Sequence, residues 1–231
     1  MSGKGLNYRN EYWFPPSIWT GETVFIIGGG PSLKGMKLDC LHGQRVIGCN
    51  DAYRMGFGHI QRKQSNFPLR PSSSWVQIVL FGDTCWFNHH RDEVVLNRHR
   101  FMFISMASQN PCCESVEWMK RLPEGLATRD HKKHIGWNRS TGAGAINLAL
   151  LLGAKRVVLL GFDMKMSDAN EANWHVNEVN TPIPSDYEKF TVGMETIARE
   201  LPEKYPHAEI LNAGPDSALN CFTKVSLESV L

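Results

Sequence analysis

The apolar positions of this chain fall into short, nearly unbroken runs. Thr23-Val-Phe-Ile-Ile27 is a compact β-rich run that ends in Gly28, Gly29 and Gly30. Similar runs follow at 45–49, 76–81, 101–105 and 156–160, with a shorter one at 209–211. Strands that are apolar at consecutive positions are buried on both faces, as in parallel sheets covered by helices. Two helical patterns separate them clearly. Ser140-Thr141 caps an apolar, small-residue stretch from Gly142 to Leu152, which Gly153 ends. A second pattern runs from about 185 to 201 and sets Phe190, Met194 and Ile197 on one face, with Pro202 and Pro206 expected to break the chain after it. Trp86, Phe87, His89 and His90 open a further helical stretch. Alternation of strands and helices predicts an α/β fold: a single Rossmann-like domain over 1–231, with a mostly parallel sheet flanked by helices.

Two segments break the pattern. Residues 61–74 are polar and carry Pro68, Pro71 and Ser72-Ser73-Ser74, the composition of a surface loop. Residues 165–185 are rich in Asn, Asp and Pro and follow a strand end, which reads as a lid-like loop or as a disordered connection. No internal repeat or domain linker is evident.

Composition narrows the class. A hydrophobic content of 42% and a charged content of 21% are those of an ordinary globular chain, so a disordered or fibrous protein is not expected. No run approaches the ~18 apolar residues of a membrane helix, and Met1-Ser-Gly-Lys-Gly lacks a signal-like apolar run, so a cytoplasmic location without a membrane span is expected. The six cysteines, Cys40, Cys49, Cys85, Cys112, Cys113 and Cys221, contain no C-x-x-C pair and read as reduced, mostly structural thiols. A net charge of +2 does not by itself imply nucleic acid. Arg62-Lys63, Arg70 and the cluster at 129–134 are basic enough to meet phosphates, although such runs are more often solvated faces.

The sharpest chemical signal is Gly28-Gly29-Gly30-Pro31-Ser32 directly after the first strand. Glycines there let backbone N–H groups approach an anion, Ser32 adds a hydroxyl, and a helix starting next would add its positive end. The run is neither G-x-G-x-x-G nor a P-loop. A tight turn without ligand is the plain alternative. Asn50-Asp51, Gly82-Asp83 and Gly161-Phe162-Asp163 end three other strands, and in an open parallel sheet the ligand crevice lies beyond those carboxyl ends. Any one of these aspartates is equally readable as a cap; it is their convergence that points to a site. Ser140, Thr141 and Gly142 would bring hydroxyls and an open helix start to the same crevice. His175, beside Trp174 in the lid region, could act as general base or acid, or be structural. Adjacent His89 and His90 cannot both face one metal from a helix, so no zinc site is expected.

Taken together, Gly28 to Leu33, Asn50, Ser140-Thr141-Gly142 and the stretch through Gly153 to Asp163 resemble two related groups. One is the bacterial sialyltransferase family, which has a single Rossmann-like domain and uses CMP-sialic acid without a metal. The other is the MptE-like family, which includes a pyrophosphokinase using ATP and magnesium. Residues 212–219 also resemble the segment with which the sialyltransferases close their nucleotide site, so the likeness spans about 23 to 222. Compact phage-encoded proteins look similar as well. The first resemblance implies a nucleotide-sugar glycosyltransferase. Gly28, Gly30, Pro31, Ser32 and Asn50 would hold the nucleotide and its phosphate, and Ser140, Thr141 and Gly142 would contact the sugar nucleotide; Gly29, Asp51, Asp83 and Gly161, at the same strand ends, are expected to join the nucleotide site. His175 would deprotonate an acceptor hydroxyl, and Asp163 is expected as a second catalytic residue. Where that family places a pair of tyrosines, this chain has only Tyr187. The second resemblance implies Mg2+ on Asp51, Asp83 and Asp163. A nucleotide-binding module without chemistry is the third reading. The expected partner is a nucleotide or nucleotide-sugar. A glycan, a small molecule or a modified base in DNA would be the acceptor, and the sialyltransferase likeness implies a homo-oligomer.

Overall fold

The computed structural model describes residues 11–57, 75–176, 179 and 181–231. The surface loop expected at 61–74, with Arg62, Lys63 and Arg70, lies outside the described residues. Among the described residues there are ten strands: β1 (Thr23–Ile27), β2 (Arg45–Cys49), β3 (Ile78–Phe81), β4 (Met102–Ser105), β5 (Val116–Trp118), β6 (Lys120–Leu122), β7 (His134–Gly136), β8 (Arg156–Leu160), β9 (Glu209–Asn212) and β10 (Thr223–Lys224). Three α-helices accompany them: α1 (Thr84–Asn97), α2 (Thr141–Leu151) and α3 (Pro184–Lys204). Eight strands form one sheet in the order β10-β9-β8-β1-β2-β3-β4-β5, and β6 and β7 pair separately. Every pairing is parallel. The α/β architecture expected from the apolar runs is therefore present.

The near-continuous apolar strands follow from burial on two faces. Val24 and Ile26 of β1 join Ile47, Leu80 and Leu159 in one core, against α2 and the Met194 and Ile197 face of α3. Phe25 and Ile27 join Val46, Phe81 and Leu160 in the other, against Trp86, Phe87 and Val94 of α1. All residues of α2 from 143 to 151 are buried. This helix packs both on the sheet strands and beneath β7 and α3, which is why its sequence is apolar all round.

The chain order places the crevice. From β1 the chain proceeds outward through β2, β3 and β4, then returns to the opposite side of β1 as β8. The sheet thus reverses its winding between β1 and β8, the position at which open parallel sheets form a ligand crevice.

Three expectations about elements need correction. The third and fourth strands begin at Ile78 and Met102, one or two residues later than their apolar runs. Helix α3 does not stop before Pro202 but carries it inside and continues to Lys204. A proline this near the end removes one hydrogen bond, and the final turn is held by Lys204 Nζ on Leu126 O at 3.0 Å and on Glu200 Oε2 at 2.7 Å. Strands β5, β6 and β7 were not evident in sequence because each has only three residues and no apolar run. None of the six cysteines is in a disulfide. No helix among the described residues is long and apolar enough to cross a membrane.

Candidate active site

The chain leaving β1 is stitched to the chain leaving β8. Gly28 N–H donates to Leu160 O and Gly30 N–H to Gly161 O, both at 2.8 Å. The approach is so close that a side chain at Gly28 would lie 2.5 Å from Gly161 O. One at Gly30 would lie 2.5 Å from Asp163 Cγ. The glycines are therefore required first by this strand-to-strand contact. The expected approach of the glycine N–H groups to an anion is revised at Gly28 and Gly30, whose donors are spent on Leu160 and Gly161.

Pro31 and Ser32 do not line the cleft. They open a five-residue 3-10 helix, Pro31–Gly35, too short to act as a strong dipole. Ser32 instead faces Asp163, donating its N–H to Oδ2 at 2.8 Å and its hydroxyl to Oδ1 at 2.6 Å. Asp163 is 6% exposed and thus acts as the clasp of the glycine loop.

The open donors lie at the start of α2. Ser140 holds the N-cap backbone conformation, yet its side chain makes no capping hydrogen bond. The N–H groups of Thr141, Gly142 and Ala143 belong to the first turn, where helix geometry provides no partner. Gly142 is needed for close packing, since a side chain there would meet Phe162 Cε1 at 2.6 Å. The two residues before the cap, Asn138 and Arg139, have φ of 44° and 62°. Asn138 stabilises this left-handed backbone by pairing with Gly125 N and O at 2.7 and 3.0 Å. The turn turns Arg139 to the cleft wall.

These segments enclose an open cleft of about 220 Å³. Gly28, Gly29, Gly30, Asn50, Asp51, Asp83, Ser140, Thr141, Gly142, Gly161, Asp163 and His175 all line it, drawn from distant parts of the chain. Sequence reasoning missed Trp86, Trp137, Arg139, Lys165 and Phe190 in the lining. Arg139 alone carried a signal, a basic residue beside a hydroxyl pair at a helix start. Tyr187 is also in the wall, and its phenol is raised by burial and by the Asp163 and Asp186 carboxylates.

The wall residues differ in how they are held. Asn50 has φ 50°, and its buried Oδ1 has no hydrogen-bond partner. Such an orphan acceptor is costly unless a ligand donor meets it. Asp83 stands at the N-cap of α1 without a side-chain capping bond. Behind it Arg121 donates to Gly82 O and Met106 O and lies 4.2 Å above the Trp137 ring. Burial lowers the Arg121 guanidinium while Asp83 acts in the opposite direction. Asp51 is 5% exposed and salt-bridged to Arg54 Nη1 at 3.0 Å.

No helix or strand forms among the described residues of 165–182, and this irregular segment lies over the glycine loop. Trp174 N–H donates to Gly29 O at 3.0 Å, and Lys34 bridges Glu171 at 2.6 Å. His175 then comes to the cleft, with Nδ1 3.1 Å from Val176 O and Nε2 4.0 Å from Asp51 Oδ2. A carbonyl can only accept, so this contact assigns the proton of the neutral ring to Nδ1.

Two expectations drawn from resemblance differ from the geometry. Residues 212–219 do not line the cleft but brace it from behind, with Ser217 Oγ on Phe162 O at 2.6 Å and Ala218 N on Asp163 O at 2.8 Å. The magnesium set does not assemble either. Asp163 is clasped by Ser32 and Asp51 by Arg54, and no group of three His, Cys, Asp or Glu able to hold a metal occurs among the described residues. The basic cluster at 129–134 is partly structural: Arg129 bonds Ser17 Oγ at 2.8 Å and Leu151 O at 3.1 Å and stacks on Phe14.

Among known proteins, no family model and no curated protein matches this chain. Solved structures do. The sialyltransferase CstII from Campylobacter jejuni, in complex with cytidine-5'-monophosphate as a substrate analogue, superposes with a TM-score of 0.50 at 14% identity, covering 90% of this chain and 86% of that one. A second sialyltransferase structure, with a trisaccharide acceptor and CMP, gives 0.50 at 16% identity over 89% and 86%. The likeness is one of fold.

Proposed function

We propose that this chain is a glycosyltransferase that moves a sugar from a nucleotide-sugar to an acceptor hydroxyl, with His175 as general base. The observation that carries the reading is the position of His175. His175 lines the same cleft as the open start of α2 and the orphan Oδ1 of Asn50. The fold shared with proteins solved with CMP and a trisaccharide acceptor supports the choice of donor class.

In this mechanism the acceptor O–H gives its proton to His175 Nε2 as its oxygen attacks the anomeric carbon, and the bond from that carbon to the phosphate oxygen breaks. The leaving phosphate gathers negative charge. It meets the first-turn N–H groups of α2, the hydroxyls of Ser140 and Thr141, and the Arg139 and Lys165 cations of the wall. Asn50 Oδ1 accepts from a hydroxyl or amine of the nucleoside. Asp163 acts indirectly, by holding the glycine loop.

Thermal shift with CMP, UDP, GDP, ATP and their sugar forms, with and without magnesium, tests the donor. A ligand at 100 times its Kd stabilises the fold by about 2.7 kcal/mol, or roughly 5–10 °C for a chain of this size. One nucleotide series should do so without magnesium, and His175→Ala should abolish turnover while donor affinity stays within about 2-fold. Stabilisation by ATP only with magnesium would transfer the assignment to pyrophosphoryl transfer. Stabilisation by nothing in the panel would overturn the reading.

A further inference from the structure

A base that takes up a proton becomes a cation, and the structure holds a buried anion beside it. We infer that Asp51 is a positioning residue for His175 and not a nucleotide ligand, and that Arg54, Trp86 and His90 fix its carboxylate for that task. The inference rests on the function proposed above only in calling His175 a base; the pairing itself is independent of it.

Asp51 lies at the start of a 3-10 helix, Asn50–Phe57, and its two oxygens are divided. Oδ1 takes Arg54 Nη1 at 3.0 Å and faces His90 Nε2 at 3.6 Å. Oδ2 accepts Trp86 Nε1–H at 3.1 Å and lies 4.0 Å from His175 Nε2. Arg54 is held in turn by Glu93, through Nη2 to Oε1 at 2.6 Å and to Oε2 at 2.8 Å. His90 is 2% exposed, and its Nδ1 lies 3.1 Å from Arg54 Nη2, a donor. Its proton therefore sits on Nε2, toward Asp51. Trp86, His90 and Glu93 follow one another at helical spacing and form one polar stripe of α1 turned inward beneath the cleft.

Burying a carboxylate, a guanidinium and an imidazole together brings little net stability, because desolvation offsets most of the attraction. What the arrangement does provide is a fixed negative charge next to a histidine that must become positive. In the resting cleft the gap of 4.0 Å is too long for a hydrogen bond, and it is at Nε2 that the proposed reaction delivers the acceptor's proton. Once Nε2 holds that proton, both ring nitrogens face acceptors, Val176 O and Asp51 Oδ2. The surroundings fit the imidazolium better than the neutral ring, which lowers the barrier to forming it. The proton leaves to solvent after product release.

Asp51→Asn keeps size and removes the charge. Three measurements on it decide the matter: CMP affinity by calorimetry, kcat and KM with a CMP-sugar donor, and the His175 ring Cε1–H signal by NMR, assigned with His175→Gln. The expected result is CMP affinity within about 2-fold, unchanged donor KM, kcat lowered by at least ~10-fold and up to ~10⁴-fold, and a displaced His175 signal. Loss of CMP affinity at undiminished kcat would make Asp51 a nucleotide ligand and overturn the inference. An unmoved His175 signal would overturn it equally. If the wild-type protein turns over no donor, the proposed function fails, yet the ring signal still decides the pairing. Should Asp51→Asn fail to fold, Asp51→Glu, which keeps the charge and moves it, is read by the same signal: a displaced His175 resonance supports the pairing and an unmoved one overturns it.

Discussion

Replacing Gly30 with alanine tests the clasp that shapes the cleft. The backbone at Gly30, φ −62° and ψ 147°, suits alanine, so no conformational strain arises. The added methyl would instead lie 2.5 Å from Asp163 Cγ and 2.7 Å from both carboxylate oxygens, contacts that cannot persist. Asp163 must move away, and the two bonds from Ser32 at 2.8 and 2.6 Å are lost or stretched. Hydrogen bonds to a charged group contribute about 1.5–3 kcal/mol each, and water can partly replace them at the half-buried Ser32, so a cost of ~2–4 kcal/mol is expected. For a domain of this size that lowers Tm by roughly 5–15 °C. The decisive assay is a double-mutant cycle by urea unfolding. With Asp163→Ala the obstacle is gone, and Gly30→Ala should then be neutral or stabilising by up to ~1 kcal/mol, since alanine restricts the unfolded chain. An equal cost in both backgrounds, or no cost in the wild type, would refute the clasp.

Two further predictions follow from the same geometry. Ser140→Ala should weaken nucleotide binding while leaving Tm within about 1 °C, because its hydroxyl makes no capping bond; a stability loss near the ~1 kcal/mol of a working N-cap would show the hydroxyl to be structural. At Glu93, burial works to raise the carboxyl, but the neighbouring His90 ring, hydrogen bonds from Arg54 and Tyr53 and the Arg54 charge outweigh it and hold the group well below the usual carboxylate range. A depressed carboxyl stabilises the fold fully above its unfolded pKa of about 4.3 and loses that stabilisation as pH falls toward the folded value. Glu93→Gln should therefore lower the urea midpoint at pH 6, with the difference shrinking toward pH 2.5; parallel curves would contradict it.

The sheet was legible because burial on both faces leaves an unmistakable trace. Thr23–Ile27 must be apolar at consecutive positions when Val24 and Ile26 face α2 while Phe25 and Ile27 face the side of α1. The strands β5 to β7 leave no such trace. Lys120–Leu122, for example, is half-exposed, and no periodicity resolves over three residues. Pro202 misled for the opposite reason: a proline's penalty is local, and Lys204 bonding to Leu126 O outweighs it at a helix end. The site was legible as a place rather than as a set of roles. Twelve of the residues singled out in sequence line the cleft because strand ends converge at the reversal between β1 and β8, which topology alone dictates.

The roles depend on partners that no local pattern encodes, and the three aspartates make the point. Each follows a strand and each looks equally suited to a metal or a ribose. Asp163 faces Ser32, 131 positions away in sequence, and is occupied in shaping a loop. Asp83 heads α1 without capping it and sets its charge against Arg121, which comes from β6, a strand too short to foresee. Asp51 lies between Arg54, Trp86, His90 and His175, an arrangement that needs the inward stripe of α1 and the path of the irregular segment over the glycine loop. The chemistry of a carboxylate is set by what already donates to it. Two of these three are saturated by the protein, so the cleft offers a ligand less negative charge than its composition suggests, and the helix start, Arg139 and Lys165 face an anionic donor with Asp83 as the main opposing charge. Asp83→Asn should therefore tighten nucleotide binding, as calorimetry in low salt would show; weaker binding would mean that Asp83 itself holds a nucleotide hydroxyl.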